Sequence, residues 1–151
     1  GSRNNELVNN TDFAPTILAL AGVKTPGYMQ GRSFSGMLRG SIPGNWRTAT
    51  YYRYWMHMAH HWNPAHFGIR TKKHKLIFYY GLPIKGRANA TLPAWELYDM
   101  EKDPREMKDI IKQKGSGKLV KTLFARLLKL QVETGDTLDL RKAYPNLAAG
   151  S

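Results

Sequence analysis

Two runs of strand-forming residues, His66–Thr71 (HFGIRT) and His74–Tyr80 (HKLIFYY), stand only two residues apart. Parallel neighbours need a crossover of about a dozen residues or more, so the Lys72–Lys73 gap leaves an antiparallel hairpin as the available pairing. Lys-Lys departs from the Gly-rich turns usual at such a site. The β pattern extends to both sides. Thr48–Trp55 (TATYYRYW) is dense in aromatic and β-branched residues, and alternation sets Tyr52 and Tyr54 on one face against Tyr51, Arg53 and Trp55 on the other. Pro64 separates this strand from the hairpin. Gly81–Pro93 reads as a loop, and Trp95–Tyr98 as a short closing strand.

A sheet of that size needs a cover for its apolar face, and Lys118–Thr134 (KLVKTLFARLLKLQVET) supplies one. Leu119, Val120, Leu123, Phe124, Leu127, Leu128, Leu130 and Gln131 recur at helical spacing, Lys118, Lys121, Arg126 and Lys129 lie mostly opposite, and Gly135 is a stop. Before the sheet, the stretch 6–22 predicts a helix opening near Thr11 or Asp12, with Pro15 in the first turn and Gly22 at the end. Residues 23–45 hold five glycines and two prolines and predict an irregular connection with one helical turn around Ser35–Leu38. Asp99 and Asp103 read as turn and capping residues, and Pro104 with Glu106 as the start of a further short helix. The expected fold is α+β: a small antiparallel sheet of three to four strands packed by a long C-terminal helix.

Composition limits the chemistry. The absence of cysteine rules out disulfides, thiolate metal sites and a Cys nucleophile among these residues. No run approaches the ~18 apolar residues of a membrane span, so no membrane partner is expected. Gly1–Ser2 reads as a cloning remnant. The 23 Lys+Arg against 11 Asp+Glu give a net charge of +12, which favours polyanions: nucleic acid, anionic lipid, or sulfated or phosphorylated sugars. No nucleic-acid motif accompanies that charge, so nucleic acid is not an expected partner.

All five histidines fall at or after His57 and before Lys75, three of them between the first strand and the hairpin. His60, His61 and His66, with Arg53 and Trp62, are concentrated around one loop between two strands and form the candidate ligand-binding set. Two other readings stand beside it. His57 with His60 or His61 and His66 has enough nitrogen for zinc, although no acidic orienting residue is near. Histidines bonded to backbone or held at a domain interface would serve structure alone. Lys72, Lys73 and Lys75 read as a solvated hairpin edge.

Three segments, in order, resemble the sulfatases. VNNTDFAPTILALAGVKTPGYMQGRSFSGMLRG is similar to a D-x-x-P-T helix leading through a Pro-Gly loop to G-x-S and L-x-G, carried by Asp12, Pro15, Thr16, Ala21, Gly22, Pro26, Gly31, Ser33, Leu38 and Gly40. Arg70, Thr71, Lys75 and Leu76 match the family's R-T-x-x-x-K-apolar strand pair, and Glu96, Leu97, Tyr98, Asp99, Asp103, Pro104 and Glu106 match E-L-Y-D-x-x-x-D-P-x-E. The resemblance spans roughly residues 6–135 and is strongest to sulfatases of heparan-type glycosaminoglycans, such as sulfamidase and N-acetylglucosamine-6-sulfatase.

That resemblance implies a division: 1–45 as the tail end of an alkaline-phosphatase-like catalytic α/β domain, 46–140 as the C-terminal subdomain, 141–151 as a tail. It also implies a formylglycine nucleophile made within a C/S-x-P-S-R motif and a calcium ion, both outside this chain, which has neither that motif nor a paired-Asp nest. No catalytic or metal residue is therefore expected here, and the chain alone is expected to be inactive. The implied partners are the missing N-terminal catalytic domain and a sulfated saccharide, in a periplasmic, secreted or lysosomal setting. The resemblance makes His60, His61, His66, Arg53 and Trp62 the substrate-binding candidates, with imidazoles for sugar hydroxyls, cationic groups for sulfate or uronate and an indole for a pyranose face. A stand-alone basic polyanion-binding module is the competing expectation.

Overall fold

The computed structural model describes residues 3–59, 61–81 and 92–139. Most of the expected 81–93 loop and the 141–151 tail lie outside the described residues, as does His60. The chain divides into two compact units, Gly1–Thr50 and Tyr51–Ser151.

The first unit is organised by Asp12. A 3-10 turn, Asn10–Asp12, leads into helix α1, Phe13–Leu20, and Gly22 follows with φ 71°, where only glycine is unstrained. The Asp12 side chain, wholly buried, accepts the amides of Asn9 (2.7 Å) and Arg32 (2.8 Å) and both terminal nitrogens of Arg47. Thr16 donates its hydroxyl to the Asp12 carbonyl (2.6 Å) and accepts the Phe34 amide (3.0 Å). One D-x-x-P-T segment thus gathers two distant stretches, Arg32–Phe34 and Arg47. Gly31 belongs to the same knot, since a Cβ there would collide with the Thr11 carbonyl. Trp46 closes it, donating from Nε1 to the Leu7 carbonyl (2.9 Å) beneath the Arg47 guanidinium, 4.7 Å from its ring. The expected turn near Ser35–Leu38 is a 3-10 turn at Met37–Arg39.

The α+β fold is as expected. Four strands, β1 (Ala49–Tyr54), β2 (His66–Thr71), β3 (His74–Tyr79) and β4 (Ala94–Asp99), lie in sequence order in one sheet. The hairpin has the register Phe67↔Phe78 and Ile69↔Leu76, and β3 pairs antiparallel with β4 through Leu76↔Leu97 and Phe78↔Trp95. Those residues form one face, on which Phe67, Ile69, Leu76 and Leu97 are fully buried. Helix α2, Ser116–Glu133, covers that face with Val120, Leu123, Leu127 and Gln131, and Phe124 meets Trp95 edge-on at 5.6 Å.

Two local expectations are corrected. No helix starts at Pro104. Asp109 instead accepts the Leu97 amide (3.0 Å) while Ile110 donates to the Leu97 carbonyl (2.8 Å), so the segment caps the open edge of β4. Glu106 sits at φ 57°, incompatible with a continuing helix. Lys75 is not a solvated edge residue: it is half-buried and pairs with that Glu106 at 2.6 Å. Lys72 and Lys73 are exposed as expected, and Asp99 and Asp103 do serve turns, accepting the amides of Glu101, Lys102 and Lys108.

Candidate functional site

Alternation along β1 decides which residues can meet. Tyr51 and Arg53 project toward the end of α2, where Asp136 accepts the Tyr51 hydroxyl (2.7 Å) and the Arg53 Nη1 at 3.0 and 3.1 Å. Asp136 is placed there by the helix stop: its amide bonds the Gln131 carbonyl, and its carboxylate accepts the Leu138 amide. Burial alone would raise the Asp136 carboxyl, but the Tyr51 hydroxyl, the Leu138 amide and the Arg53 charge outweigh it and hold the group below its ordinary range. The same Arg53 guanidinium lies 3.5 Å over the Trp55 ring, and that indole is 67% exposed, so Arg53 is held between a carboxylate and an aromatic platform open to solvent.

His66 falls on the opposite face. Its ring stacks on Tyr54 at 5.4 Å and contacts Tyr52 and Tyr79, and its Nδ1 donates to the Pro64 carbonyl (2.7 Å). Gly68 makes room on this face: a Cβ would strike the Tyr52 hydroxyl. Further along, Glu96 accepts the hydroxyls of Tyr98 (3.0 Å) and Tyr79 (3.1 Å). Burial first, and then the Glu96 carboxylate, push the Tyr79 phenol up to about 12. The hydroxyl of Tyr52 and Nη1 of Arg70 are buried here with no hydrogen-bond partner.

Between β1 and β2 runs the loop that carries His57, His61 and Trp62. It is closed by Met58 N–H to the Asn63 carbonyl (2.9 Å) and by the Ala65 amide to His57 Nδ1 (3.1 Å). His57 thereby serves as a backbone acceptor, so its Nε2 carries the proton. Met58 and Trp62 have φ of 51° and 53°, an unusual state for bulky residues and one that the surrounding bonds must hold in place. His61 is exposed and Trp62 is 58% exposed.

Of the five predicted substrate-binding residues, His61 and Trp62 share the exposed loop, Arg53 and His66 lie on opposite sheet faces, and His60 lies outside the described residues. Trp55 and Asp136 were not singled out from sequence, although the period of two already set Trp55 beside Arg53. The zinc reading finds no support among the described residues, where no three His, Cys, Asp or Glu side chains gather to hold a metal ion. Nor do the described residues gather a carboxylate cluster of the kind that holds calcium.

Comparison with known proteins gives these features a family. The model of the N-sulphoglucosamine sulphohydrolase C-terminal family matches residues 1–133. The N-acetylglucosamine-6-O-sulfatase of Bacteroides thetaiotaomicron is 38% identical over 138 residues, which is 90% of this chain and 23% of that protein. A solved structure described as in complex with its substrate D-glucosamine-2-N,6-O-disulfate superimposes with a TM-score of 0.70 at 38% identity, covering 83% of this chain and 24% of the other. The phosphonate monoester hydrolase of Agrobacterium radiobacter shares the fold alone, with a TM-score of 0.63 at 20% identity over 92% of this chain and 27% of its own. The chain spans about a quarter of the length of the relatives it matches. The matched segment includes the Asp12 knot, the sheet and α2, and the chain belongs to the N-sulphoglucosamine sulphohydrolase C-terminal family, the C-terminal part of a sulfatase.

Proposed function

We propose that this chain is part of a sulfuric ester hydrolase acting on a sulfated glucosamine of a glycosaminoglycan, completing its fold and contributing to substrate recognition. The observation that carries the reading is the 38% identity to an N-acetylglucosamine-6-O-sulfatase across nine-tenths of the chain. The formylglycine nucleophile and the calcium ion belong to the catalytic domain preceding this segment. Residues 1–45 are then the end of that domain, 46–140 the C-terminal subdomain and 141–151 a tail. An exported protein suits such a substrate, and among the described residues no helix is long and apolar enough to cross a membrane.

Helix α1 supports the need for a preceding domain. Its sequence FAPTILAL is apolar all round, a composition that belongs inside a protein. It buries Pro15 and Thr16, while Phe13, Ile17 and Leu20 form an outward stripe 55–64% exposed.

Recognition falls to the loop with His60, His61 and Trp62, flanked by Arg53 and His66. Its exposed indole and imidazole provide an apolar ring and hydrogen-bonding nitrogens for a sugar, and Trp55 on its Arg53 support adds a second ring. The protein at full length should release sulfate from N-acetylglucosamine 6-sulfate. Absence of turnover on 6-O- and N-sulfated glucosamines alike would overturn the activity. Ala substitution of His61 or Trp62 should raise KM for a sulfated oligosaccharide more than for a small aryl sulfate, and equal effects would remove the recognition role. The competing reading, a stand-alone polyanion-binding module, draws on the +12 charge and requires heparin and DNA to bind alike.

A further inference from the structure

Between Ile110 and Val132 the sequence carries six basic residues, Lys112, Lys114, Lys118, Lys121, Arg126 and Lys129, and no Asp or Glu. Five acids elsewhere are paired with bases: Asp12 with Arg47, Asp136 with Arg53, Glu106 with Lys75, Glu101 with Lys73 and Asp99 with Lys102. At about 100° per residue, Lys118, Lys121 and Lys129 fall within a sector of about 80°, opposite the buried Val120, Leu123 and Leu127. They span about 16 Å of helix axis, and Lys112 and Lys114, both exposed, precede the helix in sequence. Among the described residues, Lys112, Lys114, Lys118 and Lys121 have no acidic partner, and Lys129 meets only the exposed Glu133 at 3.9 Å.

Such a row costs the helix some self-repulsion and offers the fold nothing in return, since the apolar face already anchors α2. We propose that the outer lysine stripe of α2 is a docking surface for a linear sulfated polysaccharide, holding the polymer beyond the sugar that is hydrolysed. The occupant's chemistry rests on the activity proposed above; the stripe itself does not. Compact ammonium groups at the ends of long stems suit sulfates spaced along a flexible chain. The stripe has no aromatic side chain on which a nucleobase could stack. A membrane surface is disfavoured because the apolar face of α2 is committed to the sheet and cannot enter lipid.

The test uses the full-length protein and its K118E/K121E/K129E variant, with K118Q/K121Q/K129Q as a milder second variant should the first fail to fold. Retention on immobilised heparin should fall to lower salt in the variants, and KM for a heparin-derived oligosaccharide should rise roughly tenfold. Kinetics on the 6-sulfated monosaccharide should not change. Unchanged heparin retention overturns the proposal, as does an equal KM rise on the monosaccharide. Binding of a duplex DNA oligonucleotide with the same salt dependence, equally weakened in the variants, would also overturn it and assign the stripe to nucleic acid. If the wild-type protein hydrolyses no sulfate ester, the activity reading fails while heparin retention still decides the stripe.

Discussion

The two helices of this chain are built on opposite plans. Helix α2 is amphipathic, with Leu127 fully buried and lysines outward, so the sheet beneath it and the water above satisfy both of its sides. Helix α1 is apolar on every side, yet it buries only the small residues Pro15 and Thr16 and leaves Phe13, Ile17 and Leu20 exposed. One helix is complete with the residues present. The other leaves an apolar face uncovered, and the relatives that the chain matches are about four times as long.

The sharpest way to test that contrast is to cut into the finished helix. Leu127→Ala removes a fully buried side chain from the α2–sheet contact and should lower stability by about 2–5 kcal/mol in the full-length protein and in this segment alike, read by denaturant unfolding. Ile17→Ser should separate the two contexts. In this segment the side chain is 64% exposed and the change should stay within about 0.5 kcal/mol, whereas in the full-length protein the lost burial should cost about 1–3 kcal/mol. Equal small effects in both contexts would mean that nothing covers α1.

A smaller effect belongs to Asp136 at the end of α2. Its carboxyl is held below the ordinary value, so its contribution to stability is fully present above about pH 3.9 and disappears as the pH falls through the folded-state value. Asp136→Asn should therefore weaken the protein at neutral pH and flatten its loss of stability below pH about 4. A variant with an unchanged acid limb would show that the Tyr51–Arg53–Asp136 cluster does not anchor β1 to the helix end.

Much of the fold was legible because local periodicities and punctuation agree with the tertiary arrangement. The two-residue gap between HFGIRT and HKLIFYY left one pairing, and the helical period of residues 118–134 named the face that meets the sheet. The segment after Pro104 misled because Asp109 and Ile110 have a long-range option, the open edge of β4, that no local propensity encodes. Lys75 resembled a solvated turn residue for the same reason: Glu106, its partner, is 31 positions away.

The candidate site was legible as a concentration of residue types but not as a geometry. Arg53, His66 and Trp62 are near neighbours in sequence, yet a strand turns successive side chains to opposite faces, and the loop from His57 to Ala65 takes its form from backbone bonds and two positive φ values.

The sequence by itself determined the antiparallel hairpin, the covering helix, the basic balance and the sulfatase motifs, because each is written in spacing or composition over short stretches. Only the tertiary structure decided that Asp12 ties together Asn9, Arg32 and Arg47, that Arg53 belongs to Asp136 rather than to the histidines, and that α2 presents Lys118, Lys121 and Lys129 to solvent. Those are matters of which distant groups meet and which are left without a counter-charge, and burial settles them: a carboxylate withdrawn from water must find its donors wherever the chain brings them.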